Sequence, residues 1–209
     1  IITGHGTIDN RPVVIYAHDP AFLGGISSPM HAVKIWRILD LALKIGAPVI
    51  ALNNSSGIRI HEGVDAGATF GEVFHKTVAA SGVVPQISLI LGNCAGGAAY
   101  TPALTDFVIM VDKSSTMFLT GPSVIRNATG EHVTTEQIGG GEGARAHHPA
   151  QEGHVALQAD QVGVAQRGIQ ARQRLRAVLA PDDELGDHRV VPGADGITFV
   201  EAAVDAHRR

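Results

Sequence analysis

Residues 87–106, ISLILGNCAGGAAYTPALTD, constrain the fold of this chain more than any other stretch. An apolar, β-branched run meets a Gly-Asn-Cys-Ala-Gly-Gly turn and restarts as a small-residue helix pattern. A strand that becomes a helix through paired glycines leaves backbone N–H groups without intrahelical acceptors. Gly96 and Gly97 carry no Cβ, so a substrate oxygen can come close to their amides. That is the geometry of an oxyanion hole. The plain alternative is a tight strand–helix turn in which glycine serves packing alone, a common arrangement in α/β proteins.

The rest of the chain repeats the same grammar. Residues 1–20 read as a hairpin with its turn at Asp9-Asn10-Arg11-Pro12, and FLGGISS as a glycine-containing loop. A helix is predicted from Pro29 to a C-cap at Gly46, with apolar positions at helical spacing. PVIALNN is a buried-type strand, followed by the polar loop SSGIRIHEG and a helix over 65–80. QISLILG, FVIMVD and TMFLT supply further strands. Short connections between strand and helix predict an α/β fold with mainly parallel strands, and their unbroken apolar character predicts a sheet covered on both faces. Beyond Thr120, residues 139–148 read as a flexible polar loop, 153–180 as a long helix, 181–196 as a linker and 198–209 as one more helix.

Composition narrows the function classes. With 209 residues the chain can bury a sizeable core, and its 4% aromatic content assigns that core to Val, Ile, Leu and Ala. A net charge of −4 without a basic block gives nucleic-acid binding little electrostatic support. One cysteine, Cys94, excludes an intramolecular disulfide framework and fits a reducing compartment. No apolar run has membrane-spanning length and no signal peptide is visible, so the cytoplasm is the default expectation. The chain begins at Ile1 rather than methionine, so the native N-terminus is expected upstream.

Three loops at strand ends carry the candidate chemistry, since ligands in α/β folds bind beyond the carboxyl ends of strands. They offer Asn54, Ser55, Ser56, Gly57, Ile58 and Arg59; Gly96 and Gly97; and Gly121, Pro122 and Ser123. Two such loops, each presenting one amide, would make a two-donor hole for a thioester enolate.

The segments NNSSGIRIHEGV, ASGVVPQISLILGNCAGGAAYTPALTDFVIMVD and MFLTGPSVI resemble the carboxyltransferase β-subunit of biotin-dependent acyl-CoA carboxylases of the propionyl-CoA carboxylase type, a branch of the crotonase superfamily. The resemblance runs from about Ile2 to about Pro181. It implies a single crotonase (ClpP/crotonase-like) ββα superhelix over residues 1–180. Residues 181–209 are then a linker and terminal helix, the possible start of a second domain. In the family the active site forms between the N-domain of one subunit and the C-domain of another.

Carried onto this chain, the resemblance implies Gly96 and Gly97 as the oxyanion pair, with the Ser56–Gly57–Ile58 segment facing them. Gly24, Gly25, Tyr100 and Gly121 are expected near the acyl-CoA. Lys34 and Arg59 would meet CoA phosphates or a substrate carboxylate, the alternatives being a surface lysine and a structural arginine. The sequence departs from its relatives in two loops. Their Asn-Asp-Ser-Gly-Gly-Ala-Arg reads Asn53-Asn54-Ser55-Ser56-Gly57-Ile58-Arg59 here, and their Gly-Gly-Ser-Leu-Gly reads Gly24-Gly25-Ile26-Ser27-Ser28. Ile58 should narrow the pocket, and Ser56 adds a hydroxyl.

The remaining polar residues take plainer readings. Eleven histidines include no paired Cys/His or His-Glu-x-x-His spacing, so no metal is expected. His61 and Glu62 are weak acid/base candidates, Cys94 is a packing residue, His147 and His148 are solvated, and Arg167, Arg172, Arg174 and Arg176 form a charged helix face.

The resemblance implies carboxyl transfer from carboxybiotin on a partner carrier protein to a short acyl-CoA. The biotin ureido group would take the α-proton, and no cofactor would be covalently bound to this chain. A biotin carboxyl carrier protein, a biotin carboxylase subunit and a homotrimer or hexamer are the implied partners. Two other readings stand beside it: a stand-alone, biotin-independent decarboxylase of a malonyl- or methylmalonyl-thioester, and a non-catalytic assembly subunit.

Overall fold

The computed structural model describes residues 1–141 and, beyond them, the backbone of the strands His154–Leu157, Arg189–Pro192 and Thr198–Glu201. The chain opens with β1 (Ile2–Ile8) and β2 (Arg11–Ala17), an antiparallel hairpin closed by the pair Ile8–Arg11. Only Asp9 and Asn10 form the turn, both left-handed at φ 49° and 63°, which short polar side chains tolerate and two-residue hairpins demand. Arg11 and Pro12 belong to the strand rather than the turn. Pro12 does not disturb the sheet, because pairing with β3 starts only at Val14.

Helix α1 (Pro29–Ile45) starts on Pro29 and stops at Gly46 (φ 67°), as its sequence predicts. Its buried residues Ala32, Ile35, Ile38, Leu39 and Ala42 make one stripe. Strand β3 (Val49–Ser55), helix α2 (Gly63–Ala80) and strand β4 (Gln86–Ala95) follow. After a 3₁₀ turn, Gly96–Ala99, come the short helix α3 (Tyr100–Ala103), β5 (Phe107–Val111) and β6 (Thr116–Phe118). Helices α4 (Pro122–Thr129) and α5 (Thr135–Gly139) complete the continuous part.

Strand order is β7-β5-β4-β3-β2-β1-β9-β8, where β7 is His154–Leu157, β8 is Arg189–Pro192 and β9 is Thr198–Glu201. Strands β2, β3, β4, β5 and β7 are parallel, and the β1, β8 and β9 side is antiparallel. Strand β6 leaves this path and pairs with the far half of β4 at Asn93, Cys94 and Ala95. The main core joins α1 and α2 to one face of the sheet, through Ile35, Leu39, Phe70 and Val73 against Val14, Tyr16, Val49 and Ala51. On the opposite face Ala17, Leu52, Leu91 and Val111 are buried, with Ile15, Ile50 and Leu89 half-buried beside them.

Five expectations need correction. Strand β4 does not end at Gly92 but runs through Asn93, Cys94 and Ala95, because β6 supplies a second partner there. Helix α4 escaped the sequence reading although it carries a first-turn proline and a left-handed Gly130 C-cap. The residues read as the start of a helix at 198 are strand β9, since Thr198, Phe199 and Val200 suit a strand and the partner β8 is at hand. The linker over 181–196 contains β8, and the long helix predicted from 153 opens instead on β7, whose Val155 and Leu157 align with β5. The rest of that predicted helix, His147, His148 and the Arg167–Arg176 face lie outside the described residues.

Candidate active site

The loop after β3 and the glycine loop before α1 are tied together by backbone hydrogen bonds, and the turn after β4 packs against the first of them. Ser27 N–H donates to Gly57 O at 2.8 Å, and Arg59 N–H donates to Ser27 O at 2.8 Å, so Ser27 and Ile58 form an isolated parallel bridge. Ser56 N–H donates to Gly24 O at 3.1 Å. Gly25 lies against the Asn54 carbonyl, where any Cβ would collide with backbone. Gly57 lies near the β4 turn, where a Cβ would make a tight contact of 3.1 Å with Ala95 O. The two loops that the sequence singled out are therefore packed on each other.

This zipper decides which amides are left over. In the segment 56–59, Ser56 donates to Gly24, Gly57 to Ser55 Oγ at 3.2 Å, and Arg59 to Ser27. Ile58 N–H makes no hydrogen bond among the described residues, so of the expected Ser56–Gly57–Ile58 donors one remains. In the facing turn Tyr100 N–H donates to Gly97 O, whereas Gly97 N–H at the start of the turn has no acceptor among the described residues. The side chain of Ile58 fills the space beside Gly97: a Cβ on Gly97 would stand 2.5 Å from Ile58 Cδ1 and 2.9 Å from Cγ1. The two residues with spare amides thus touch.

The other candidates divide. The β6 loop reaches the site through the Ala95–Phe118 pairing, and Gly121 caps α4 with its Cα side toward the Phe118 ring. Tyr100 is half-exposed and packs its ring 5.8 Å from that of Phe74, which in turn meets Phe70 at 6.3 Å. Arg59 is committed to Glu62, Nη1 to Oε1 at 2.6 Å, within its own loop. Lys34 points Nζ at the Ile1 carbonyl, 3.5 Å away. Both cations still lie close enough to His31 to act on its ring: burial first, then the positive amino end at Ile1, and after it Arg59 and Lys34, lower the His31 pKa to about 4. His31 Nδ1 accepts from Ser28 N–H at 3.2 Å and lies 2.8 Å from the Ser28 hydroxyl, so the histidine caps the helix that the glycine loop leads into. His61 is exposed on a 3₁₀ turn, Ile60–Glu62.

Cys94 is fully buried, donates its S–H to Ala98 O at 3.4 Å, and has its pKa pushed up to about 12 by burial. Burial and a raised pKa give it the character of a packing residue. Sequence reading missed Asn93 and Thr116, whose side chains join the site: Thr116 Oγ1–H donates to Asn93 Oδ1 at 3.0 Å, and Asn93 Nδ2–H donates to Ser56 Oγ at 3.4 Å. Only the β4–β6 pairing brings these residues together, and nothing local in sequence announces it. The groove between α1 and α2, lined by Trp36, Asp40, Ala68, Thr69, Glu72 and Lys76, contains none of the strand-end residues.

The sheet topology, with α1 and α2 packed on it and Ile58 of one strand-end loop set against Gly97 of the next, superposes on that of solved carboxyltransferases and places this chain in the α/β, crotonase-like carboxyltransferase class. Residues 1–171 match the carboxyl transferase domain. The chain belongs to that family. It is 54% identical over 140 residues to the methylmalonyl-CoA decarboxylase subunit alpha of Propionigenium modestum, covering 67% of this chain and 27% of that protein. It is 43% identical to the propionyl-CoA carboxylase beta chain of Saccharopolyspora erythraea over 99% of this chain and 38% of the relative. Among solved structures, transcarboxylase 12S, crystallised as a hexamer with methylmalonyl-coenzyme A and methylmalonic acid bound, superposes with a TM-score of 0.72 at 38% identity, over 92% of this chain and 36% of that one. The chain spans well under half the length of these relatives.

Proposed function

We propose that this chain supplies an acyl-CoA-binding half-site that stabilises a thioester enolate during carboxyl transfer to a short acyl-CoA. The observation that carries the reading is the pair of uncommitted amides on Ile58 and Gly97, presented by two loops locked to each other. Enolate formation moves charge onto the thioester oxygen, and fixed amides directed at that oxygen need no reorganisation as the charge develops. Gly96 shapes the turn, Gly57 lets its loop approach Ala95, and Gly24, Gly25, Ser56, Tyr100 and Gly121 surround the acyl-CoA. Lys34 and Arg59 are the cations available for its phosphates or a carboxylate. Carboxybiotin on a separate carrier protein would be the CO2 donor, with a biotin carboxylase subunit recharging it. Relatives so named support this reading, as does the hexameric transcarboxylase for a trimeric or hexameric assembly. No described helix is long and apolar enough to cross a membrane.

A second reading has its own support. The same two amides would serve decarboxylation of a malonyl- or methylmalonyl-thioester without biotin, and the relative at 54% identity is named a methylmalonyl-CoA decarboxylase subunit.

The experiment is calorimetry of the purified chain with acetyl-, propionyl-, malonyl- and methylmalonyl-CoA, followed by CO2 release from the last two without biotin. Binding without CO2 release supports transfer, and release supports decarboxylation. A folded chain that binds no acyl-CoA sinks both enzyme readings in favour of an assembly subunit. Loss of one such donor typically costs roughly 10²–10³ in rate, so where turnover is seen, a folded Gly97→Val chain should fall by that factor.

A further inference from the structure

We infer that His18 is a positioning residue for the proposed amide pair: its imidazole anchors Ser27, and Ser27 sets where the Ile58 N–H stands. The inference rests on the acyl-CoA reading above and adds to it a residue from the end of β2. His18, Ser27 and Ser55 are all buried, the two serines completely. A polar side chain taken out of water costs free energy unless it finds a partner. Each of these three finds one that bears on residues 57–59. Ser55 Oγ accepts from Gly57 N–H at 3.2 Å. Ser27 donates its N–H to Gly57 O and accepts Arg59 N–H at its carbonyl, both at 2.8 Å. His18 Nε2 lies 3.4 Å from the Ser27 hydroxyl.

The imidazole belongs to the sheet. His18 N–H donates to Leu52 O at 3.0 Å, which carries the β2–β3 pairing one residue past Ala17 and Leu52. Its ring meets that of Tyr16 edge-on, centroids 6.3 Å apart, and Tyr16 is buried in the core beneath α1. The side-chain contact therefore runs from a fixed strand to the residue that brackets Ile58. Because Ser27 holds Gly57 and Arg59 on either side of Ile58, a shift of Ser27 carries the Ile58 amide with it. Gly97 takes its place from β4 and β6 instead. Burial first, with His31 behind it, lowers the His18 pKa to about 4, so at neutral pH the ring acts as a hydrogen-bonding group and not as a charge.

An amide acts on a developing oxyanion only from hydrogen-bond distance. A misplacement of about 1 Å caused far from the chemistry can cost roughly 10²-fold in rate. A group that ties the Ile58 loop to the strand framework thus bears on the chemistry without touching the thioester.

The test compares His18→Leu, Ser27→Ala, their double variant and His18→Gln in the full chain. The first readout is amide hydrogen exchange at Ser27 and Arg59 relative to that at Val14 and Val49, whose N–H groups donate to Pro48 O and Pro85 O, so that an overall loss of stability cancels. The second is acetyl-CoA affinity by calorimetry. His18→Leu and Ser27→Ala should each raise the exchange ratio about twofold to tenfold, the range for one net hydrogen bond, and weaken acetyl-CoA binding by a comparable factor. The double variant should be no worse than either single one, because both remove the same contact. His18→Gln, which offers a side-chain amide in place of Nε2, should restore most of both values. Ser27→Ala leaves the imidazole in place and carries the comparison with His18→Gln if His18→Leu does not fold. An exchange ratio unmoved by the single variants, or effects that simply add, would make His18 a core residue and overturn the inference. A raised ratio with unchanged acetyl-CoA affinity also overturns it, while the acyl-CoA site stands. If the wild-type chain binds no acyl-CoA, the site reading fails and the inference falls with it.

Discussion

Ile58 Cδ1 occupies the space that a Cβ on Gly97 would need, at 2.5 Å, so the residue at the tip of one loop is keyed into the turn of the other. Where the family pattern has alanine, this chain has a larger side chain that is half-buried and packs against the α1–α2 core. The spacing between the two spare amides is therefore set by a hydrophobic contact as well as by backbone hydrogen bonds.

That contact predicts a coupling. Gly97→Ala should destabilise the chain by about 1–3 kcal/mol, the usual cost of overpacking. The same change in an Ile58→Ala background should cost clearly less, with a coupling of about 0.5–3 kcal/mol for residues in contact. Urea unfolding of the four proteins measures it. Strict additivity would mean that the two side chains adapt without touching.

Gly25 and Gly46 have nearly the same left-handed φ, 68° and 67°, but different surroundings. A Cβ at Gly46 meets nothing within 4 Å, whereas at Gly25 it meets the backbone of Asn54. Alanine at Gly46 should cost only the conformational term, about 1–2 kcal/mol. At Gly25 it should also unzip the loop, with faster amide hydrogen exchange at Ser27, Ser56 and Arg59. Equal exchange rates in the two variants would count against the zipper.

His18 is buried next to the Ser27 hydroxyl (3.4 Å), its Nδ1 has no partner, and its pKa is lowered to about 4 by burial and, secondarily, by His31. A folded pKa below the unfolded value of 6.5 means that the unfolded chain binds the extra proton first. Stability from this group is complete above pH 6.5 and declines as pH falls from there to about 4, by up to about 3 kcal/mol. His18→Gln should flatten that part of the urea-midpoint profile. An unchanged slope would assign the acid loss to other groups.

Cys94 offers a direct probe of core integrity. With a buried thiol of pKa about 12, the native chain should not react with a thiol reagent such as iodoacetamide at pH 8, and reaction should follow unfolding. Stoichiometric labelling under native conditions would show that the β4 end opens.

Sequence alone was sufficient wherever a local rule fixed the outcome. Pro29 and Gly46 bracket α1, and the β-branched runs of β3, β4 and β5 fix the parallel sheet. That the loops after β3 and β4 lie side by side was readable from their places at successive strand ends, whereas the facing of residues 56–58 and Gly97 was implied only by the family resemblance. What stayed hidden depends on partners distant in the chain. The last turn of β4 looks like loop until β6 pairs with it, and residues 198–201 look helical until β8 lies alongside. Which amide of the 56–59 loop remains spare could not be read either, because it is settled by Ser27, 31 residues before Ile58.

Strand β4 changes neighbours along its length, from β5 over Ile87–Ile90 to β6 over Asn93–Ala95. The sheet forks there, and Gly96 begins where the fork ends. The short β5–β6 connection, Asp112 to Ser115, hangs behind this branch point, and its ends are anchored by Ser115 N–H and Oγ–H on Val111 O at 3.0 and 2.6 Å. Insertions at Lys113 or Ser114 would therefore lengthen an ornament of the fork while leaving the amide turn registered to β6, which marks this connection as the position where the chain can accept a tag or a reporter without retuning its chemistry.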